Sequence, residues 1–205
     1  MPSRLSCYEA FFLRGADEVL EPDPRDPGSP YVYRFPPVKV GPLKRFLVQL
    51  SDVCVYITDG MSLREMPVPP EEREYCPTRI ELMACTLGSV VGAEDGRDRV
   101  MPLLSLMDRT MRAEGMFFGP GFTLDVGERI CPNSEMTGFF FSLPDHVDME
   151  RLCRCTQGAQ LVLSVVPITP AELRLARDSG SLDLIARFEQ AGLPNLFNPF
   201  RPSVV

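Results

Sequence analysis

The sequence predicts an α+β (mixed α/β) fold, with a central mixed, largely antiparallel sheet flanked by helices. Three observations predict it. Short β-branched and aromatic runs recur along the chain between turn signals. Two regions carry helical periodicity with clear start and stop residues. The strands and helices are interspersed without regular βαβ alternation. With 205 residues and 44% hydrophobic content, the chain can bury one substantial core. No internal repeat and no second core is visible, so 1–205 reads as one domain.

The elements follow in order. Residues 7–20, CYEAFFLRGADEVL, read as a short amphipathic helix with Tyr8, Phe11 and Phe12 on one side. The proline-dense stretch EPDPRDPGSP, 21–30, cannot be a regular element and reads as a loop or flexible connector. YVYRF, 31–35, is a strand. FLVQLSDVCVYIT, 46–58, is a long strand or a strand pair with an irregularity near Ser51 and Asp52. A sharp turn at Asp59-Gly60-Met61-Ser62 ends it, and a proline-bearing loop covers 66–77.

TRIELMACTL, 78–87, is a strand that puts Ile80, Leu82 and Ala84 on one face and Arg79, Glu81 and Met83 on the other. Residues 99–115 form the first strong helix, with Val100, Leu103, Leu104, Met107 and Met111 as its apolar stripe. Pro102 lies in its first turn and Gly115 at its stop. Strands follow at 122–126, 138–143 and 158–169. Thr169-Pro170-Ala171-Glu172 has the capping-box spacing and starts a helix that Ser179-Gly180-Ser181 interrupts. A second helical piece, 182–191, stops at Gly192, and a proline-rich tail, 193–205, packs on the surface.

Charge and composition limit the function classes. Net charge is −7 and the sequence pI about 4.9, with lysine only at Lys39 and Lys44. Nucleic-acid binding needs clustered cations, so it is not expected. No 20-residue apolar span exists, so no membrane helix is expected. No secretory signal is read at the N-terminus, and a cytoplasmic location is expected. The seven cysteines are odd in number and read as reduced thiols, Cys54 and Cys85 as core residues.

Reaction chemistry is sparse. Ser62 lacks an evident base, because His146 is the only histidine and DGMS lacks the nucleophile-elbow pattern. Ser62 therefore reads as a turn serine, with Asp59 and Ser62 satisfying local amides. Cys153 and Cys155, with Cys131, Cys76 or His146, could supply zinc ligands, but the spacing fits no common knuckle. A short helix carrying Cys153 and Cys155, one of them facing the core, is the favoured reading. Arg79 and Glu81 share a strand face and suit a cross-strand ion pair. Glu71, Glu72 and Glu74 form an exposed acidic loop and are the candidate partner-binding residues. No cofactor, catalytic or metal site is expected.

The order of segments resembles the suppressor of fused family in its single-domain bacterial form. The resemblance rests on TDGMS, RIELM, MPLLSLMDRTMR, GPGFTL, FFFSLP and, most specifically, LVLSVVPITPAELRLARDSGSLDLIARFEQAG. It spans roughly Tyr31 to Val205. It implies a non-enzymatic protein-binding domain. Eukaryotic members add a C-terminal domain and bind a Hedgehog-pathway transcription factor. Bacterial members resemble immunity proteins that neutralise a cognate polymorphic toxin, and a basic toxin domain would suit this acidic chain. The alternatives are an intracellular scaffold or regulator binding another protein, and a metal-dependent hydrolase.

Overall fold

The structure is a computed structural model that describes residues 4–26, 28–37, 53–87, 99–144, 147–156, 158–193 and 195–205. Its strands are β1 (Glu18–Leu20), β2 (Tyr31–Phe35), β3 (Val53–Asp59), β4 (Ile80–Leu87), β5 (Thr123–Asp125), β6 (Gly138–Ser142) and β7 (Leu161–Ile168). Its α-helices are α1 (Arg4–Phe12), α2 (Val100–Glu114), α3 (Met149–Cys153), α4 (Pro170–Asp178) and α5 (Ser181–Gln190). Short 3₁₀ turns cover Met61–Leu63 and Pro70–Glu72.

The strands form one sheet in the order β1-β2-β3-β4-β7-β6-β5. Every pairing is antiparallel except β4 with β7, which is parallel. The sheet is therefore mixed and largely antiparallel, as the sequence predicts. The central strands β3, β4 and β7 are buried almost throughout. Such near-continuous burial requires cover on both faces.

Residue alternation divides the core. Cys54, Tyr56, Ile80, Leu82, Ala84, Leu163 and Val165 pack on one face against Leu104, Met107 and Met111 of α2. On the other face, Tyr33, Phe35, Val55, Ile57, Met83 and Val162 meet Tyr8 and Phe12 of α1 and Leu152 of α3. Phe140, Val166 and Ile168 continue that second face beneath Leu173, Leu184 and Phe188 of α4 and α5. Helices α1, α3, α4 and α5 thus share one side of the sheet, and α2 has the other.

Helix boundaries follow local chemistry. Gly115 ends α2 in the left-handed region at φ 62°, its amide bonded to the Met111 carbonyl. Thr169 and Glu172 form the reciprocal capping box at the start of α4. Asp148 caps α3 by accepting from the Arg151 amide.

Four sequence expectations change. The N-terminal helix runs over Arg4–Phe12, not 7–20. Leu13 turns back at φ 57°, and Glu18–Leu20 becomes an edge strand on β2. Of the long 46–58 segment, Val53 onward is β3, while 46–52 lies outside the described residues. The cysteines are not all thiols, because Cys7 and Cys155 are joined, with their Cα atoms 5.3 Å apart. The tail does more than lie on the surface: Phe197 and Arg201 are buried within it.

The proline-rich loop is also tied down. Its Asp26 carboxylate meets the Arg112 guanidinium, which also bonds Asp108 on α2. The Ser29 hydroxyl accepts from the Asp23 amide and donates to the Asp26 carbonyl. These contacts tie the described residues of the segment to α2 and to one another.

Candidate partner-binding face

The turn after β3 is built around a carboxylate from the next strand. Gly60 stands at φ 124°, a conformation that favours glycine. Its amide donates to Glu81 Oε1 at 2.9 Å, and the Ser62 amide donates to the same oxygen at 3.1 Å. The Ser62 hydroxyl adds a 2.6 Å bond to Oε1. On Oε2, the Thr58 hydroxyl donates at 2.7 Å and the Met61 amide at 3.3 Å. Glu81, Thr58 and Ser62 are fully buried. Burial pushes the Glu81 carboxyl above its ordinary range, and the bonds from Ser62, Thr58 and Gly60 pull against that shift.

Two sequence expectations are corrected here. Glu81 does not share an ion pair with Arg79's face. Arg79 instead pairs with Glu65 at 3.3 Å near the surface, while Glu81 turns inward. The amides of the turn are satisfied by Glu81 rather than by Asp59 and Ser62. Asp59 is itself buried, paired with Arg4 of α1 at 2.8 Å. The signal was present in the alternation of 78–87, which already turned Glu81 away from the face of Ile80 and Leu82. An open face would suit an ion pair, but Thr58 and the turn at Ser62 close over this one.

Ser62 is thus inaccessible, and its oxygen is committed to a structural carboxylate. The Cys153-Cys155 metal pair is broken by the bond from Cys155 to Cys7. Among the described residues, no group of three or more His, Cys, Asp or Glu side chains could hold a metal. His146 lies outside the described residues.

The acidic loop is exposed and firmly held. Residues 70–75, including Glu71, Glu72 and Glu74, are exposed, and Tyr75 is 73% exposed. Beneath them Met66, Val68 and Cys76 are buried. The Met66 amide donates to the Thr78 carbonyl at 2.7 Å, and the Arg73 guanidinium donates to the Val68 carbonyl at 3.2 Å. The Cys76 thiol faces the Phe118 carbonyl at 3.4 Å. The Gln160 side-chain oxygen accepts from the Thr78 and Arg79 amides, pinning the loop to the start of β7. The result is an open depression of about 460 Å³ lined by Glu65, Arg73, Glu74, Tyr75, Thr78 and Gln160 among others. Glu74 lines it, whereas Glu71 and Glu72 stand on the preceding 3₁₀ turn.

Residues 43–202 match the sequence model of the suppressor of fused protein (SUFU) family. This chain belongs to the suppressor of fused family. No curated protein matches the sequence. Three solved structures show how far the fold is shared.

A putative SUFU homolog from Neisseria gonorrhoeae FA 1090 is similar with a TM-score of 0.57 at 16% identity, over 98% of this chain and 94% of that one. A chain of the Sufu–Fu complex gives 0.66 at 13% identity, over 98% and 90%. Drosophila Suppressor of Fused gives 0.53 at 13% identity over 85% of this chain, which spans 42% of that longer protein. At these identities the likeness establishes the fold. Among the described residues, no helix is long and apolar enough to cross a membrane.

Proposed function

We propose that this suppressor of fused domain is a non-enzymatic protein-binding domain, and that it serves as an immunity protein which binds and neutralises a cognate toxin. The observation that carries a protein-binding reading is family membership, alongside a similar fold found in a Sufu–Fu complex. The residues that chemistry would recruit support it. Ser62 and Glu81 hold a turn together, and Cys155 is tied to Cys7.

The contact surface is the acidic loop. Loop 65–79 holds four glutamates against two arginines, and Tyr75 offers an exposed aromatic anchor. Its backbone is pinned at both ends, so little ordering entropy is lost on binding. A basic partner would be steered toward it by charge, in keeping with the chain's net −7. The short outer strands β1 and β5 are positions where an extended partner segment could add to the sheet.

The test is co-expression with a candidate toxin domain from a large neighbouring open reading frame, scored by cell survival and by isolation of a complex. Survival with a 1:1 complex supports immunity. Equal killing with no complex removes it. A complex with a regulatory protein and no rescue would support the scaffold reading instead. In the immunity case, reversing Glu71, Glu72 and Glu74 to Lys slows association at least roughly tenfold at low salt while leaving the fold intact.

A further inference from the structure

The N-terminal helix covers a part of the sheet that is unusual in this core. Asp59 is 1% exposed there, beside Tyr33, Phe35, Ile57 and Met83. Helix α1 covers the Tyr33, Phe35 and Asp59 part of that face, while Leu152 of α3 packs in the same cluster. Tyr8 lies against Tyr33 at 5.8 Å between ring centroids, and Phe12 against Phe35 at 4.8 Å. Arg4 pairs with Asp59 at 2.8 Å.

The non-covalent hold is mainly aromatic, through buried Tyr8 and Phe12 and through Arg151 stacked over Phe11 at 5.4 Å. Helix α1 has only 9 residues, a length that is marginal in water without tertiary support. Its Tyr8 hydroxyl is fully buried and has no hydrogen-bond partner among the described residues. A buried orphan hydroxyl opposes docking. Arg4 and Asp59 form an ion pair with one end partly exposed to solvent. One covalent tie, Cys7 to Cys155, fastens this helix to the residues just after α3. The two cysteines are 148 residues apart in sequence. The bond therefore joins the chain's N-terminal helix to the far half of the molecule.

We propose that the Cys7–Cys155 disulfide is a reductively opened latch that decides whether α1 covers the Asp59 face of the sheet. The sulfur open to attack is that of Cys7, which is half-buried, whereas Cys155 is 3% exposed. An external dithiol attacks as a thiolate at the Cys7 sulfur. It forms a mixed disulfide and expels the Cys155 thiolate, which takes up a proton. The second thiol of the reductant then displaces Cys7 as a thiol. The reductant leaves as a disulfide, and the protein has gained two electrons and two protons.

Cys153 is a thiol two residues from Cys155. Burial, and then the nearby Glu81 carboxylate, push its pKa up and make it a poor internal attacker. The latch therefore waits on an outside reductant. Opening would uncover an aromatic and aliphatic wall with one acidic group in it. This device is independent of the acidic loop and of the toxin-binding reading.

The test uses the whole chain, oxidised and then treated with dithiothreitol. Alkylation under denaturing conditions is expected to label five cysteines before reduction and seven after it. Amide exchange followed by mass spectrometry is expected to speed up at least tenfold over residues 4–12 on reduction. Residues 161–190 keep their protection. Cys7→Ser is expected to show the open pattern without any reductant.

Seven labels on oxidised protein would overturn the proposal. So would unchanged exchange at 4–12 in the reduced protein. Equal loss of protection at 4–12 and 161–190 would also overturn it, since the bond would then be a staple for the whole fold.

Discussion

At Glu81, three backbone amides and two hydroxyls converge on one carboxylate that no solvent reaches. Removing a single donor and removing the acceptor are therefore different experiments. Ser62→Ala leaves four donors in place and is expected to lower the unfolding free energy by about 1–2 kcal/mol. Partner binding should be unchanged in that variant. Glu81→Ala strands several buried donors at once and is expected to lower it by at least about 3 kcal/mol. Urea unfolding of the two variants measures both. A Ser62→Ala protein as unstable as Glu81→Ala would show that the hydroxyl, not the carboxylate, organises the turn. Burial raises the folded Glu81 pKa. The sign of linkage then makes protonated Glu81 a stabilising form, so its contribution falls as pH rises through the folded value.

Among the elements, Thr169 shows where reading the sequence succeeds. Its hydroxyl accepts from the Glu172 amide at 3.3 Å, and the Glu172 carboxylate accepts from the Thr169 amide at 2.8 Å. Both partners lie within four residues, so the spacing alone carries the geometry. Thr169→Ala is expected to destabilise the protein by about 1 kcal/mol, measured by thermal or urea unfolding. No change would mean that Pro170 and the tail fix the helix start without the cap. The stop of α2 at Gly115 was readable for the same local reason.

Readability fails where the cause is distant. Strand β1 exists because Glu18–Leu20 finds β2 as a neighbour, though its own residues read equally well as helix. Glu81 escaped because its donors come from β3 and the turn, about twenty residues earlier. The candidate acidic loop was visible as composition. Its rigidity was not, since it depends on Gln160 reaching from the start of β7.

On the scale of the molecule, the tail is a closing clasp. Arg201 is 8% exposed and makes a two-pronged pair with Glu172, at 2.6 Å to Oε1 and 2.7 Å to Oε2. It also donates to the Pro167 carbonyl at 2.8 Å and lies over the Phe188 ring at 4.7 Å. Burial would raise the Glu172 pKa, but Arg201 and the amides of Thr169 and Val204 outweigh it and hold it below the usual range. A depressed folded pKa gives stability that is present above the unfolded value near roughly 4.3 and is lost as pH falls through the folded value. Acid unfolding is thus expected to be shallower in the paired Glu172→Gln, Arg201→Met variant than in the natural chain. The single change Arg201→Met, which leaves a buried carboxylate without its cation, is expected to cost about 3–5 kcal/mol. Equal acid sensitivity in the double variant would place the titration elsewhere.

The parallel contact between β4 and β7 has a further consequence, in time. Apart from the β4–β7 contact, every strand pairs only with its neighbours in sequence, β1 to β4 in one group and β5 to β7 in the other. Each group can assemble by loop closures of about twenty residues or fewer. Among the described residues, the register Ile80↔Leu161 to Met83↔Ser164 is the one place where the two groups share a ladder. Closing it draws together residues about eighty positions apart, with α2, β5 and β6 in the span between them. Contacts of that separation slow folding, because the chain loses entropy before the contact forms. The pairings within each half-sheet can therefore form before the two halves join, and their joining is the step that completes the core. During synthesis that step waits until residues through Ser164 have left the ribosome.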